Sequence, residues 1–249
     1  MNEEQKEYGK LFLVSTPIGN KFDITLRAKE VLKSVDLVIC ENMKAGANVL
    51  KDINIKKTID TLNVKNELEQ TLDFVEMLKK GQSLALISDA GTPVFADPGL
   101  TLVKNTLSQN IDVIVVPGPS SIMAALVRST FNIDSFLFAG FLNREPIIRE
   151  KELRRLSNEK RTVVLFETPY RFKAFLRSAS RVLPDRNAYI GMNLTMPFET
   201  HHYGTFRELY QKFEDSKIKA EFVVVFEGAK GSPQKINKKY NNINKLKKR

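Results

Sequence analysis

The sequence predicts an α/β protein organised as two α/β domains. Three features lead there. Short apolar runs recur along the chain, among them Leu11-Phe12-Leu13-Val14, Leu84-Ala85-Leu86-Ile87 and Ile111 to Val116. Between the runs, apolar residues fall at helical spacing. Loops rich in Gly, Pro, Ser and Asp stand where a strand gives way to a helix, most fully at residues 88–99. Strands that alternate with helices pair in parallel and carry the helices on the faces of the sheet. At 249 residues the chain can bury a full core, as one domain or two.

Taken in order, residues 11–16 read as the first strand and 17–20 as the loop behind it. Asp23 is placed to N-cap a helix over 24–35, with Leu26, Val31, Leu32 and Val35 as its apolar face. Residues 36–40 are the second strand, which makes a βαβ unit with a right-handed crossover. A polar segment with a short helix spans 41–51, and a strand follows near 57–62. Val64, Leu68, Leu72, Val75 and Leu78 share one helix face, and Gly81 stops that helix as its C′ residue. The strand at 84–87, a helix over 100–108, the strand at 111–116 and an apolar helix at 122–127 come next. These five strands make the first domain, residues 1–118. The second domain, 119–229, has strands at 136–141 and 162–166, a basic amphipathic helix at 146–156 and an Arg-bearing helix at 172–183. Strands at 188–194, 200–206 and 221–227 with a helix at 207–213 complete it in antiparallel fashion. There is no internal repeat.

Composition narrows the chemistry. The only cysteine is Cys40, inside the apolar run Leu37-Val38-Ile39-Cys40, so it reads as a buried strand residue. No intrachain disulfide is possible and a reducing compartment is expected. With His201 and His202 the only histidines, neither zinc nor a Cys–His nucleophile is indicated, and no metal site is expected. No apolar run nears the roughly 20 residues that span a bilayer, and residues 1–10 are polar, without a secretory h-region. A cytoplasmic protein with no membrane partner is expected. The net charge is +10, yet the eight basic and no acidic residues of 230–249 leave the rest near neutral. That tail is rich in Asn and Lys, which predicts disorder when free and a capacity to hold phosphates by charge.

The loops at strand ends carry more. Open α/β sheets bind ligands beyond the carboxyl ends of their strands. Asp89 stands there, in a loop where Gly91 and Gly99 allow unusual backbone angles and Pro93 and Pro98 limit motion. A plain turn whose Asp residues cap the following helix is the competing reading. The loop behind the first strand lacks G-x-G-x-x-G, and Pro17 withholds an N–H, so the site suits a ligand without a pyrophosphate.

Thr16-Pro17-Ile18-Gly19-Asn20, the 88–99 loop, Pro117-Gly118-Pro119-Ser120 and Glu167-Thr168-Pro169-Tyr170-Arg171 follow one another along the chain. Together they resemble the tetrapyrrole-methylase-like methyltransferases, and within that family the branch that 2′-O-methylates a cytidine in the decoding region of 16S ribosomal RNA. The likeness runs from Leu11 to about Gly228. It implies two α/β domains with a deep cleft between them, S-adenosylmethionine in that cleft, a homodimer, and 16S ribosomal RNA or the small ribosomal subunit as partner. Carried over by position, the cofactor would lie against Pro17, Ile18, Gly19, Asp89, Thr92, Ser120, Ser121, Phe166 and Thr168.

Several family positions differ here. Glu41-Asn42-Met43-Lys44 stands for E-D-T-R, and Tyr170 for the His of E-S-P-H-R. Met192-Asn193-Leu194-Thr195-Met196 stands for R-E-L-T-K, and Asn143-Arg144-Glu145 for P-R-K. These changes remove or move charge, so the resemblance supports the methyl donor more firmly than the acceptor. A ribose hydroxyl is weakly acidic and calls for a base or a nearby cation. Glu167, Arg171 and Glu199 are the candidate catalytic residues. His201 and His202 alternate faces of one strand. Two other functions compete: methylation of a tetrapyrrole or other small molecule, and RNA binding without catalysis.

Overall fold

The computed structural model describes residues 7–216 and 218–229, so the expected basic tail at 230–249 lies outside the described residues. The chain divides into two compact units. One holds the residues up to Arg128 with Ile190–His201 and Ala220–Val223; the other holds Ser129–Tyr189, His202–Lys219 and the residues from Val224 onward. The chain thus returns to the first unit after leaving it, which a linear boundary at residue 118 does not convey.

The first unit contains a sheet of β1 (Leu11–Val14), β2 (Leu37–Cys40), β3 (Ile59–Thr61), β4 (Leu84–Ile87) and β5 (Val113–Val116) in the order β3-β2-β4-β1-β5. All its pairings are parallel, with Leu11 opposite both Leu84 and Val113. The helices are α1 (Leu26–Ser34), α2 (Met43–Asp52), α3 (Glu67–Lys79), α4 (Leu100–Ser108) and α5 (Ser121–Ser129). Side chains alternate along β4. Ala85 and Ile87 join Ala28, Leu32 and Leu50 in one core layer; Leu84 and Leu86 join Phe74, Leu78 and Leu102 in the other. Burial on both faces explains why β2 and β4 are unbroken apolar runs.

Local expectations change on α1 and α3, and Leu26, expected on the apolar face of α1, is 81 % exposed while Ala28 and Leu32 are buried. Asp23 does not cap α1; it lies in a 3-10 turn over Lys21–Asp23, and Thr25 Oγ1 accepts the Ala28 N–H at 3.0 Å. On α3 the buried residues are Thr71, Phe74, Val75 and Leu78, while Val64, Leu68 and Leu72 are 82, 76 and 64 % exposed. The helix is rotated toward Phe74, the bulkier anchor, so part of the apolar stripe faces out. Gly81 does stop α3, with φ +89°.

At the start of α4, Gly99 has φ +122°, and a Cβ there would stand 2.6 Å from Leu86 Cδ2 in the core. Gly99→Ala is expected to cost about 2 kcal/mol through backbone strain and overpacking. A lower denaturant midpoint with unchanged slope in equilibrium unfolding would record it.

The second sheet runs β6-β7-β10-β8-β9, from β6 (Phe136–Phe141), β7 (Thr162–Glu167), β8 (Asn187–Met192), β9 (Thr200–Thr205) and β10 (Phe222–Phe226). β6 and β7 are parallel. Glu227 N donates to Asn187 O and Asn193 N to Glu221 O, so β8 and β10 are antiparallel. Its helices are α6 (Pro146–Leu156), α7 (Phe172–Val182) and α8 (Phe206–Phe213). Proline at N1 opens α6, and a Thr205–Glu208 capping box opens α8. Edge-to-face rings lock α7, α8 and β10 together, with Phe172–Phe213 at 5.3 Å and Phe206–Phe226 at 5.6 Å.

Candidate functional site

In the first unit β1 lies between β4 and β5, so the loops behind these three strands meet at one edge of the sheet. Thr16 and Gly91 exchange backbone hydrogen bonds of 2.8 and 3.2 Å, and Thr16 Oγ1 donates to Ser88 O at 2.9 Å. The hydroxyls of Ser15 and Thr92 are 3.1 Å apart. Gly91 has φ +89°, and its missing Cβ would meet Ile18 Cγ2 at 3.4 Å and Pro119 O at 3.8 Å. Thus the expected cofactor residues Pro17, Ile18, Gly19, Asp89 and Thr92 belong to loops held together by direct bonds. Ser120 stands just before α5, its carbonyl accepting the Ala124 N–H at 3.0 Å, and Ser121 is the helix's first residue. Val94 and Ala96 both take left-handed angles, φ 69° and 65°. A β-branched residue rarely does so, and such strain gathers at ligand sites.

The cap of α4 bears on the reading of Asp89 as a plain turn residue. The cap is Glu67, whose Oε1 accepts the N–H groups of Gly99 at 2.9 Å and Thr101 at 3.1 Å. Asp97 takes the Ser88 hydroxyl at 2.5 Å. Asp89 accepts a backbone N–H from Asn42 and remains exposed at the strand end. Its carboxyl is pushed up by partial withdrawal from water, with the Asn42 N–H opposing and Asp97 adding repulsion. Glu41 is pushed up by the same withdrawal and by Asp97 and Asp89. The Cys40 thiol, buried below them, is pushed up to about 11 by burial first and then by Asp89, which keeps it neutral and unreactive.

Beside the β1 loop is a cavity of about 280 Å³, walled by Pro17, Ile18 and Gly19 on one side and by α2 on the other, with Asp89 and Met196 between them. Met196 arrives on the returning segment 193–199, which carries left-handed angles at Asn193 and Thr195. Thr195 Oγ1 accepts the Asn20 N–H at 2.9 Å, and Gly19 lies so near the segment that a Cβ would fall 2.6 Å from Leu194 O. Glu199 holds this segment. One of its oxygens accepts the Thr195 N–H, and the other is 2.8 Å from His201 Nε2. The sequence offered Glu199 as a catalytic group; the geometry gives its carboxylate a supporting task.

In the second unit Glu167 ends β7 with its side chain 1 % exposed. Oε1 accepts the Thr168 N–H at 2.8 Å, and Oε2 pairs with Arg171 at 2.9 Å. Arg171 also donates to Leu142 O, while its Nε is buried without a partner. Burial pushes the Glu167 carboxyl up, against the Thr168 N–H and the charges of Arg171 and Arg149. Sequence reasoning did not single out Arg149 within the basic helix at 146–156. Arg149 is 2 % exposed and donates to Ser178 Oγ, Arg144 O, Asn143 O and Ala174 O at 3.1, 2.9, 3.4 and 3.1 Å. The available signal was position: Arg149 sits four residues before Leu153, and these two are the buried residues of α6. Phe166 packs edge-to-face on Phe138 at 5.0 Å, and Thr168 is half-buried at the start of the following turn.

Two further cavities, of about 330 and 300 Å³, flank Glu227 and Gly228 near the amino-terminal ends of β6, β7 and β8. They lie away from the strand-end loops, so we do not assign the site there. Among the described residues no cluster of His, Cys, Asp or Glu could hold a metal, and no helix is long and apolar enough to cross a membrane.

Residues 10–225 match the family of tetrapyrrole (corrin/porphyrin) methylases. The chain is 37 % identical over 220 residues to ribosomal RNA small subunit methyltransferase I of Thermotoga maritima, covering 88 % of this chain and 99 % of that one. It is 40 % identical to the protein of that name from Mesorhizobium japonicum, over 86 % of this chain and 74 % of the other. Among solved structures, cobalt precorrin-4 methyltransferase superposes with a TM-score of 0.68 at 16 % identity, over 88 % of this chain and 94 % of that one. Uroporphyrin-III C-methyltransferase from Thermus thermophilus, complexed with S-adenosylhomocysteine, superposes with a TM-score of 0.63 at 17 % identity, over 88 % and 97 %. At those identities the likeness speaks for the fold.

Proposed function

Because the chain belongs to the tetrapyrrole methylase family, as a methyltransferase of the ribosomal RNA small subunit methyltransferase I type, we propose that it uses S-adenosylmethionine to methylate a ribose 2′-hydroxyl of 16S ribosomal RNA, at a cytidine of the decoding region. The observation that carries the donor is Asp89: an exposed carboxylate at the strand end that does not cap α4, beside the apolar Ile18 wall and a strained loop. These residues fit the cofactor, which combines hydroxyls, amino groups and a sulfonium cation. Asp89 would take its polar groups, Pro17, Ile18 and Gly19 would pack against it, and Thr92, Ser120 and Ser121 offer hydroxyls. Phe166 and Thr168 belong to the second unit, at the end of β7 and in the turn behind it.

When bound, S-adenosylmethionine supplies an electrophilic methyl group. The chain's own task is positioning, which governs in-line transfer. Glu167 and Arg171 brace the turn behind β7, and Glu199 braces the segment that carries Met196. A homodimer in the cytoplasm is part of the proposal, and the exposed Val64, just before α3, with Leu68 and Leu72 on it, is the surface we assign to the second copy.

The test is methyl transfer to small-subunit RNA from cells lacking this gene, read by mass spectrometry. The wild-type chain should add one methyl to a ribose. Asp89→Ala should weaken S-adenosylmethionine binding about tenfold or more in calorimetry, with the fold retained. An unchanged dissociation constant would make the loop a structural turn.

A further inference from the structure

The cavity beside α2 has a composition that positioning the methyl donor does not require. Ala45, Asn48, Val49, Asp52 and Ile53 recur at helical spacing and turn one face of α2 toward it. Ile18, Val49 and Met196 are half-buried and make apolar walls, while Asn48, Asp52 and Lys21 are exposed. An apolar pocket with donors and acceptors at its rim can take an RNA base that has left its stack. Its volume of about 280 Å³ suits one nucleoside rather than a strand. The turn Pro17-Ile18-Gly19 is both a wall of this cavity and part of the loop cluster we assign to the donor, and two reactants that must meet in line need such adjacent sites.

We infer that this cavity receives the base of the acceptor nucleotide and selects a base bearing an exocyclic amine. The inference rests on the RNA methyltransferase reading above. Asp52 can accept only, so an amine of cytosine or adenine pairs with it, as carboxylates pair with the cytosine amine elsewhere. The O4 of uracil would set an acceptor against an acceptor. Asn48 and Lys21 supply donors for the ring carbonyl or ring nitrogen.

Full-length protein saturated with S-adenosylhomocysteine is titrated with cytidine 5′-monophosphate and uridine 5′-monophosphate. Cytidine 5′-monophosphate should bind about tenfold more tightly. Asp52→Asn and, separately, Asn48→Ala should erase most of that preference and raise KM for small-subunit RNA, while affinity for S-adenosylmethionine stays within about twofold. Both residues are on the exposed side of α2, so the fold should tolerate either change. No preference in the wild type would overturn the inference. So would a matching loss of S-adenosylmethionine affinity in both variants, which would give the cavity to the donor. If wild-type protein puts no methyl on small-subunit RNA, the underlying reading fails, and this inference with it; an active wild type with indifferent variants sinks the inference alone.

Discussion

Arg149→Met should destabilise the protein by about 3–5 kcal/mol, the cost of breaking a buried charged network from one side. The Arg149 guanidinium donates to Ser178 Oγ and to the carbonyls of Asn143, Arg144 and Ala174, tying the segment between β6 and α6 to α7. Methionine fills much of the volume but satisfies none of these acceptors, and each buried carbonyl left unpaired costs about 1–3 kcal/mol. The change also removes a charge that favours the Glu167 carboxylate. Equilibrium unfolding measures the loss. A change below about 1 kcal/mol would mean that water replaces the guanidinium, and that Arg149 is not an anchor.

Glu199→Ala should raise KM for S-adenosylmethionine about tenfold and leave kcat at saturation within a few-fold. The carboxylate holds Thr195 N and His201 Nε2 together, so its loss frees the segment that presses on Gly19 and Asn20. Glu199→Gln keeps one acceptor oxygen and should fall between alanine and wild type. The pair separates positioning from chemistry. If Glu199 itself accepted the hydroxyl proton, glutamine would lower kcat as deeply as alanine. Steady-state kinetics on both variants, with RNA at saturation, decides between these outcomes.

The two substitutions differ in how visible their targets were beforehand. Glu199 could be named from the sequence because it survives beside the altered segment Met192 to Met196, yet its partners, Thr195 and His201, are set by a tight turn with left-handed residues that no spacing rule announces. Arg149 was hidden among charges. An arginine on a basic helix reads as solvent-facing, and only the carbonyls gathered around it make burial possible. On α3 the same limit shows in reverse, where Leu68 and Leu72 have core spacing and face outward because Phe74 claims the buried side.

The amino-acid sequence by itself determined the strands, the helices that alternate with them and the loops at their ends. Each rests on local signals: apolar runs for strands buried on both faces, 3.6-residue periodicity for helices, Gly and Pro where the chain turns. It also singled out Asp89, Gly91 and Gly99. The tertiary structure alone decided what those residues are free to do. Glu67, far away in the chain, caps α4 and so leaves Asp89 available at the strand end. The returning segment 193–199 closes against Gly19 and completes the cavity. Hydrogen bonds and core contacts between distant residues are chosen by packing in three dimensions. Spacing along one dimension carries no record of which acceptor a buried donor will find.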